Sequence, residues 1–238
     1  MRSIRHPNVI ELYEVYEDKS YIHLLLPLLT GQELFMRMKQ KCIFSESDAL
    51  PIMRSILSAI AYLHGQNIVH RDLKPQNLIL ASKKSKADIR IVDFGLAERL
   101  SDPSEKLYRK CGTPGYTSPE LLRGTGYSFP TDIFSTGVIF AEMITGRVLF
   151  KGRTPSEVFS KIASYELDFP EAKWKNVSKE GRDLAQAMLA EDPDERITAE
   201  QALQHPWFRS SFADEEEKSR HQAAQSVQKT SEIEAQRQ

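Results

Sequence analysis

A short stretch of the sequence carries a carboxylate, an ammonium and a carboxamide at fixed offsets: Asp72, Lys74 and Asn77. A second carboxylate, Asp93, follows Asn77 after sixteen positions and is itself followed by Phe-Gly. Asp72 can accept the proton of an incoming hydroxyl, and Lys74 can neutralise charge on a phosphoryl group. The oxygens of Asn77 and Asp93 suit Mg²⁺, which prefers hard oxygen ligands. This set of groups predicts phosphoryl transfer from a nucleotide with Mg²⁺.

The specificity of this signal comes from its length. An isolated Asp-Phe-Gly turn arises by chance and indicates little. Residues 70–77 read His-Arg-Asp-Leu-Lys-Pro-Gln-Asn, and the second Asp stands at the distance that phosphoryl-transferring enzymes use. A chance loop between two strands is the alternative, and the joint occurrence of both pieces disfavours it.

The elements around this stretch must position its side chains. Residues 11–17 alternate apolar and acidic side chains, which predicts a half-buried strand, and residues 21–26 predict a second strand. The turn residues between them make the pair a hairpin. Residues 27–31 read as a connector and residues 33–41 as a short helix. Short β-prone pieces are predicted at 68–69, 77–81 and 89–92, on either side of the candidate loop.

The remaining chain reads as mostly helical. A helix is predicted from Ser45, whose hydroxyl suits an N-cap, to about residue 64, although Pro51 should bend it. Residues 132–149 are apolar on several sides and predict a buried central helix. Further amphipathic helices are predicted at 156–163, 178–190 and 198–203, whereas residues 96–112 read as polar turns.

Composition narrows the classes of protein. The 238 residues are 40% hydrophobic and 27% charged with a net charge of −1, as in an ordinary globular protein, so no nucleic-acid or membrane partner is expected. The longest apolar run, residues 24–29, is too short for a membrane helix. The first seven residues contain no hydrophobic signal, so a cytoplasmic or nuclear location is expected. Cys42 and Cys111 are expected to be free thiols.

Together these stretches resemble a eukaryotic-type serine/threonine protein kinase of the calcium/calmodulin-dependent group, from about residue 6 to residue 208. The resemblance also rests on residues 12–17, 31–35, 111–120 and 205–208. It implies an α+β, protein-kinase-like fold. Residues 1–29 would form a truncated small β lobe of hairpin and hinge, residues 30–209 a mainly α-helical large lobe, and residues 210–238 a polar tail, helical or disordered.

The resemblance assigns roles residue by residue. Asp72 matches the catalytic base of these kinases. Lys74, two residues later, matches the lysine found in this loop of serine/threonine kinases. Thr113 matches the residue that bonds the base. Asn77 and Asp93 match the magnesium ligands. Structural support would come from a second set of residues, in which Glu120 pairs with Arg196 and Asp132 holds the loop backbone: His70, Arg71, Phe94, Glu120, Asp132 and Arg196.

The nucleotide site is implied by the hinge. Leu26 takes the gatekeeper place, and Pro27 follows where an acidic residue is common. Pro27 keeps the carbonyl and Leu29 keeps the N–H that the adenine would use. Ile79 would lie under the adenine, and Asp93 would face the phosphates through the metal.

Substrate preference and regulation are partly implied. Glu33 matches a carboxylate that meets a basic residue of the substrate, whereas Gln76 stands where a second carboxylate is usual, so a mild basic preference is expected. Arg71 precedes the catalytic Asp. Kinases with this Arg are often switched by an upstream kinase that phosphorylates the activation segment, which is here residues 93–120. Ser101, Ser104 and Tyr108 are the candidate sites in this segment.

One part of the pattern is not in the sequence. No Gly-x-Gly-x-x-Gly motif precedes residue 70, and the strand Lys and helix Glu that clamp ATP are not found. The 238-residue chain is therefore expected to bind ATP weakly and to turn over slowly. Three hypotheses remain: an incomplete record of an active kinase, a catalytically impaired binding or scaffold module, and an unrelated enzyme that shares the loop by chance.

Overall fold

The computed structural model describes residues 4–167 and 171–209. The predicted polar tail, residues 210–238, lies outside the described residues. No helix within the described ranges is long and apolar enough to cross a membrane. Cys42 and Cys111 are free thiols, as predicted.

The first element is a small antiparallel hairpin. Strand β1 (Glu14–Glu17) pairs with β2 (Ile22–Leu25), with Glu14 opposite Leu25. The Asp18 carboxylate closes the turn because it accepts hydrogen bonds from the N–H groups of Ser20 and Tyr21 at 2.7 and 2.9 Å. The prediction of a strand from residue 11 was wrong by three residues, since pairing begins only at Glu14.

Two further pairs of short strands frame the candidate loop. Strand β3 (Ile68–Val69) pairs with β6 (Glu98–Arg99), and β4 (Leu78–Leu80) pairs with β5 (Ile89–Ile91), both antiparallel. The prediction of turns throughout 96–112 missed β6. Its two polar residues carry no strand pattern, and the strand exists because β3 pairs with it.

Helices make up most of the rest. Their bounds are α1 Leu34–Lys41, α2 Glu46–Gly65, α3 Pro119–Arg123, α4 Pro130–Thr145, α5 Pro155–Ala163, α6 Glu171–Trp174, α7 Lys179–Met188 and α8 Ala199–Leu203, with 3₁₀ turns at Pro75–Asn77 and Pro206–Arg209. The short helices α3 and α6 were not predicted. Pro51 lies inside α2, which stays one continuous helix. The few short strands and many helices confirm the predicted α+β class.

The core is built around α2 and α4. Helix α2 begins where the Ser45 hydroxyl accepts a hydrogen bond from Asp48 N–H, and its apolar face packs against α4 and α8. Residues 131–144 of α4 are all buried, which confirms the predicted central helix. The helix ends at Thr145 and not at 149 because Gly146 adopts φ +66°, the left-handed geometry of a helix C-cap.

Candidate active site

The backbone of the loop that carries Asp72 is bonded by one buried carboxylate on α4, that of Asp132. Asp132 Oδ2 accepts a hydrogen bond from His70 N–H at 2.8 Å, and Oδ1 accepts one from Arg71 N–H at 2.9 Å. His64 Nε2 lies 3.0 Å from the same carboxylate. Burial alone would raise the pKa of Asp132, but the His64 contact and the His70 N–H outweigh burial and lower it. Asp132 is therefore ionised, and it fixes the loop backbone.

Asp72 contacts the other three side chains that the sequence analysis predicted as catalytic, namely Lys74, Asn77 and Thr113. Lys74 Nζ lies 2.6 Å from Asp72 Oδ2 and donates to Thr113 Oγ1 at 2.9 Å. The Thr113 hydroxyl donates to Asp72 Oδ1 at 2.6 Å. Asn77 Nδ2 donates to the Asp72 carbonyl at 2.8 Å and to Oδ2 at 3.3 Å. Asp72 is buried, so these partners fix both of its carboxylate oxygens.

Arg71 joins this loop to the segment that follows Asp93. Its backbone has φ +69°, and its buried guanidinium donates to the Leu96 carbonyl at 2.5 Å and contacts Glu98 at 2.7 Å. A third contact runs to the Tyr127 hydroxyl at 3.2 Å. Burial raises the pKa of Tyr127 to about 12, so its phenol keeps its proton and donates to the Arg109 carbonyl at 2.6 Å.

Sequence reasoning missed Glu98 and Tyr127. Both are ordinary polar residues in turn-rich stretches, and neither belongs to a recognisable motif. Only the fold brings them to Arg71, from sequence separations of 27 and 56 residues. No signal within a short sequence window could have found them.

His70 and Phe94 connect the loop to Asp93. Their rings meet edge to face at 5.0 Å between centroids. Full burial lowers the pKa of His70, and the neutral ring donates from Nε2 to the Val92 carbonyl at 3.1 Å while Nδ1 accepts from Asp72 N–H at 3.3 Å. The Val92 N–H in turn donates to the Asn77 carbonyl at 3.0 Å. These contacts hold Asp93 beside the loop.

The five predicted nucleotide-binding residues line one cavity of about 600 Å³: Leu26, Pro27, Leu29, Ile79 and Asp93. Val92 and Phe94 contribute to the same wall, so the cavity adjoins the Asp72 cluster. No described residue bonds the Pro27 carbonyl or the Leu29 N–H. Both groups therefore keep their hydrogen-bonding capacity, and both residues line the cavity.

The donor set beside the cavity fits a magnesium nucleotide. Asp93 has φ +61°, and its Oδ1 accepts the Gly95 N–H at 3.2 Å. No bond within the described residues occupies Asp93 Oδ2 or the side-chain oxygen of Asn77. Within residues 4–167 and 171–209, no group of three or more His, Cys, Asp or Glu could hold a metal by itself. Mg²⁺ needs only one or two protein oxygens when phosphates and water complete its shell.

The two predicted substrate-binding residues lie on elements that pack together, since α1 packs against the 3₁₀ turn Pro75–Asn77. Glu33 immediately precedes α1, and its half-buried carboxylate has no partner among the described residues. Gln76 Oε1 is buried and has no hydrogen-bond partner in the described part of the chain. Both side chains therefore keep acceptor capacity for a donor from outside the chain.

A second carboxylate that the sequence analysis missed is Glu142 on α4. The Tyr116 hydroxyl donates to Glu142 Oε2 at 2.9 Å, so Glu142 supports the segment that follows Thr113. Burial raises the pKa of Glu142 to about 7, against the lowering effect of the Tyr116 bond. A single Glu in an apolar helix pattern is a weak sequence signal for such a contact.

Glu120 and Arg196 lie away from the catalytic cluster. Arg196 Nη1 is 2.6 Å from Glu120 Oε1, and Nη2 is 3.1 Å from Oε2. Both side chains are buried. The pairing predicted from the sequence is thus present as a bidentate contact that ties α3 to the loop after α7.

The candidate phosphorylation sites differ in their surroundings. Tyr108 is exposed, and no described residue bonds its hydroxyl. The exposed Ser104 hydroxyl donates to Asp102 at 2.5 Å, and the Ser101 N–H bonds Glu105. None of these three residues contacts Arg71 among the described interactions.

Comparison with known proteins matches the protein kinase domain to residues 1–208. Myosin light chain kinase A of Dictyostelium discoideum is 40% identical over 210 residues, which is 88% of this chain and 71% of that protein. Calcium/calmodulin-dependent protein kinase type II of Caenorhabditis elegans is 41% identical over 207 residues, or 87% of this chain and 29% of that protein.

A third relative, calcium/calmodulin-dependent protein kinase type 1 of Macrobrachium nipponense, is 37% identical over 216 residues, or 91% of this chain and 62% of that protein. The chain thus spans between 29% and 71% of the length of these three relatives. The chain belongs to the protein kinase family, among the serine/threonine kinases of the calcium/calmodulin-dependent group.

Proposed function

We propose that the protein transfers the γ-phosphoryl group of ATP to serine and threonine hydroxyls of protein substrates. The observation that carries the proposal is the contact of Asp72 with Lys74, Asn77 and Thr113, beside a cavity that Pro27 and Leu29 line. A general base, a cation and a nucleotide cavity stand next to one another, as this reaction requires.

In this proposal ATP, bound with Mg²⁺, is the phosphoryl donor, and ADP is the leaving group. Asp72 orients the substrate hydroxyl and accepts its proton as the hydroxyl oxygen bonds to the γ-phosphorus and the bond to the β-phosphate oxygen breaks. Lys74, held by Asp72 and Thr113, offsets charge on the transferred group. Asn77 and Asp93 would hold the metal.

Substrate choice would follow the acceptors beside this cluster. The Glu33 carboxylate, which has no partner among the described residues, favours a basic residue upstream of the target hydroxyl. Gln76 adds a neutral acceptor in place of a second charge. We therefore expect a mild preference for basic substrates. The proposal includes a cytoplasmic or nuclear location. It also includes control by an activating kinase that phosphorylates Ser101, Ser104 or Tyr108.

The second candidate is a kinase-derived binding or scaffold module. This candidate supposes that the whole protein, like residues 1–69 of this chain, carries no Gly-x-Gly-x-x-Gly motif that clamps ATP. In this candidate the Asp72 cluster would serve recognition only.

A peptide panel tests the first candidate. Matched peptides that differ only in Ser, Thr or Tyr at one position, with and without an upstream Arg, are incubated with radiolabelled ATP and Mg²⁺. We expect label on Ser and Thr and none on Tyr, with a modest gain from Arg that Glu33→Gln removes. Label on Tyr would overturn the hydroxyl assignment. Nucleotide binding without any transfer would support the module.

A further inference from the structure

The turn between β4 and β5 is strongly basic. This basic turn, residues 82–88, carries three exposed lysines: Lys83, Lys84 and Lys86. None of the three forms an ion pair with any residue that the structure describes. The only carboxylate of the turn, Asp88, is already paired with Arg90 at 2.8 Å. The charge of the three lysines is therefore not neutralised within the turn.

A cavity of about 540 Å³ is lined by the basic turn, by α1 and by the residues that precede α1. We call it the basic cavity, because its charged lining residues are Lys83 and Arg37 and none of the described residues that line it is a carboxylate. Thr30 and Ser82 add two hydroxyl groups that bond no described residue. Two cations from different elements together with two hydroxyls form a donor set that suits a carboxylate.

Arg37 is fixed at the wall of the basic cavity. Its Nη1 donates to the Lys86 carbonyl, and its guanidinium lies 5.6 Å from the Phe44 ring centroid. The charge of Arg37 also acts on Asp48, but that carboxylate pairs with Lys41 and does not line the cavity. The other N–H groups of the Arg37 guanidinium have no partner among the described residues, so they keep their capacity to bond a ligand.

The basic cavity lies next to the predicted substrate-binding carboxylate of Glu33. Gln32 lines the cavity, and its carbonyl accepts a hydrogen bond from Leu80 N–H at 3.0 Å. Glu33 follows it directly and forms a β-bridge with Ile79. Arg37 comes one helical turn later, since its N–H bonds the Glu33 carbonyl at 3.3 Å. Residues four apart on a helix are neighbours, with Cβ atoms about 5–6 Å apart, so the two substrate contacts would be close together.

We propose that the basic cavity binds an acidic segment of the protein substrate, with Lys83 and Arg37 pairing with its Asp or Glu side chains. The proposal rests on the proposed function, because it adds a second contact to the same substrate. Lys84 and Lys86 lie beside the cavity and attract further acidic residues of that segment. Nucleic acid is not favoured as the occupant, since the chain carries a net charge of −1. A substrate held at two sites gains from a high effective concentration, so the acidic segment should lower the KM and leave kcat unchanged.

Binding of an acidic peptide tests the basic cavity without catalysis. A fluorescein-labelled peptide with four Glu residues is titrated with the full 238-residue chain. Its affinity should fall about fivefold or more in the double variant Lys83→Gln with Arg37→Gln, and also at about 0.5 M salt, which screens exposed charges. Lys83→Gln alone should weaken binding about twofold, and this exposed change leaves the Arg37 bond to Lys86 in place.

The matched control is Lys151→Gln with Lys175→Gln, which removes the same charge from exposed positions outside the cavity and should bind as the parent does. Equal affinity in the two double variants would overturn the proposal. Tighter binding of a single-stranded oligonucleotide, weakened by Lys83→Gln to the same degree, would overturn the assignment to a protein segment.

Two-part peptides test the link to the substrate. Each carries a Ser target with an upstream Arg, joined through a flexible Gly-Ser linker on either side to four Glu or to four Gln residues. The parent should show a KM about fivefold lower for the better Glu peptide than for its Gln counterpart at equal kcat, and Lys83→Gln should remove the difference. Equal KM values for the Glu and Gln peptides would contradict the substrate role. Absence of transfer to every peptide would contradict the proposed function itself, whereas the binding titration decides separately whether the cavity takes an acidic segment.

Discussion

Arg196 Nη1 lies 2.6 Å from Glu120 Oε1, across 76 residues of sequence, and both side chains are buried. The rest of the guanidinium is also bonded, since Nη1 donates to the Pro130 carbonyl at 2.8 Å and Nε donates to the Ala190 carbonyl at 3.0 Å. The pair therefore joins the end of the activation segment, α4 and the loop after α7. It braces the segment that contains Thr113, far from the chemistry itself.

Removal of Arg196 should show how much the Arg196–Glu120 pair contributes to the free energy of unfolding. Arg196→Ala leaves Glu120 as an uncompensated buried charge, so we expect a loss of about 3–5 kcal/mol in the free energy of unfolding. Urea unfolding measures this. The control is Arg123→Ala, which breaks an exposed pair with Glu191 of the same 2.6 Å length and should cost below about 1 kcal/mol. Equal losses in the two variants would contradict the assignment of Arg196 as a buried brace.

Thr113 should matter through its hydroxyl. Its Oγ1 donates to Asp72 and accepts from Lys74, so Thr113→Ala frees both side chains from their positions. We expect a fall in kcat of about 10²-fold with little change in the KM for peptide, because misplaced catalytic groups cost about that much. Thr113→Ser keeps the hydroxyl and should retain most of the rate. A Ser variant as slow as the Ala variant would point to a packing role of the methyl group.

The raised pKa of Glu142 should make the stability of the fold depend on pH. Its pKa is raised to about 7 from an ordinary 4.5, so between these values the folded state binds more protons than the unfolded state. Stability from this group is complete below about pH 4.5 and is lost as the pH rises through about 7. The loss amounts to about 3 kcal/mol.

The Glu142→Gln variant should remove that dependence. Its unfolding free energy should exceed that of the parent above pH 7, and the two should converge toward pH 5, as measured by urea unfolding across this range. Asp132 does not mask the effect, since its lowered pKa lies below 3.8 and its contribution is lost only in stronger acid. Parallel stability curves for parent and variant would show that Glu142 does not titrate in this window.

Tyr127→Phe should loosen the activation segment. The change leaves the Arg109 carbonyl and one Arg71 N–H without this partner, which should destabilise the fold by about 1–3 kcal/mol. Thermal unfolding measures the loss, and hydrogen exchange should show faster exchange in residues 107–111. The exposed Tyr108→Phe is the matched control and should change neither quantity. If hydrogen exchange of residues 107–111 were the same in Tyr127→Phe and the parent, Tyr127 would not stabilise this segment.

The candidate site was predictable where its residues share a short motif. Asp72, Lys74 and Asn77 lie within six positions, so their spacing alone indicates that they converge. Thr113, Asp132 and Arg196 are far apart in sequence, and the resemblance to kinases supplied them. The fold class followed from the same source, together with the helical periodicity of α2 and the apolar composition of α4.

What could not be predicted depends on contacts between distant residues. Strand β6 has two polar residues and exists only because β3 pairs with it. Glu98 and Tyr127 reach Arg71 through the folded chain and carry no local pattern. In the sequence Glu142 is a single polar residue in an apolar helix pattern. Its role depends on the Tyr116 hydroxyl, which the fold brings to its carboxylate. Such contacts are set by tertiary packing and not by sequence periodicity.

The measurement that tests the account most directly is phosphoryl transfer by the parent protein and by Asp72→Asn, with nucleotide binding measured on the same samples. The exposed Asp183→Asn on α7 serves as control. If Asp72 is the general base, Asp72→Asn should lower the transfer rate by about 10²-fold or more while ATP binding and Asp183→Asn stay at the parent level. Equal transfer rates in Asp72→Asn and the parent would contradict the central claim.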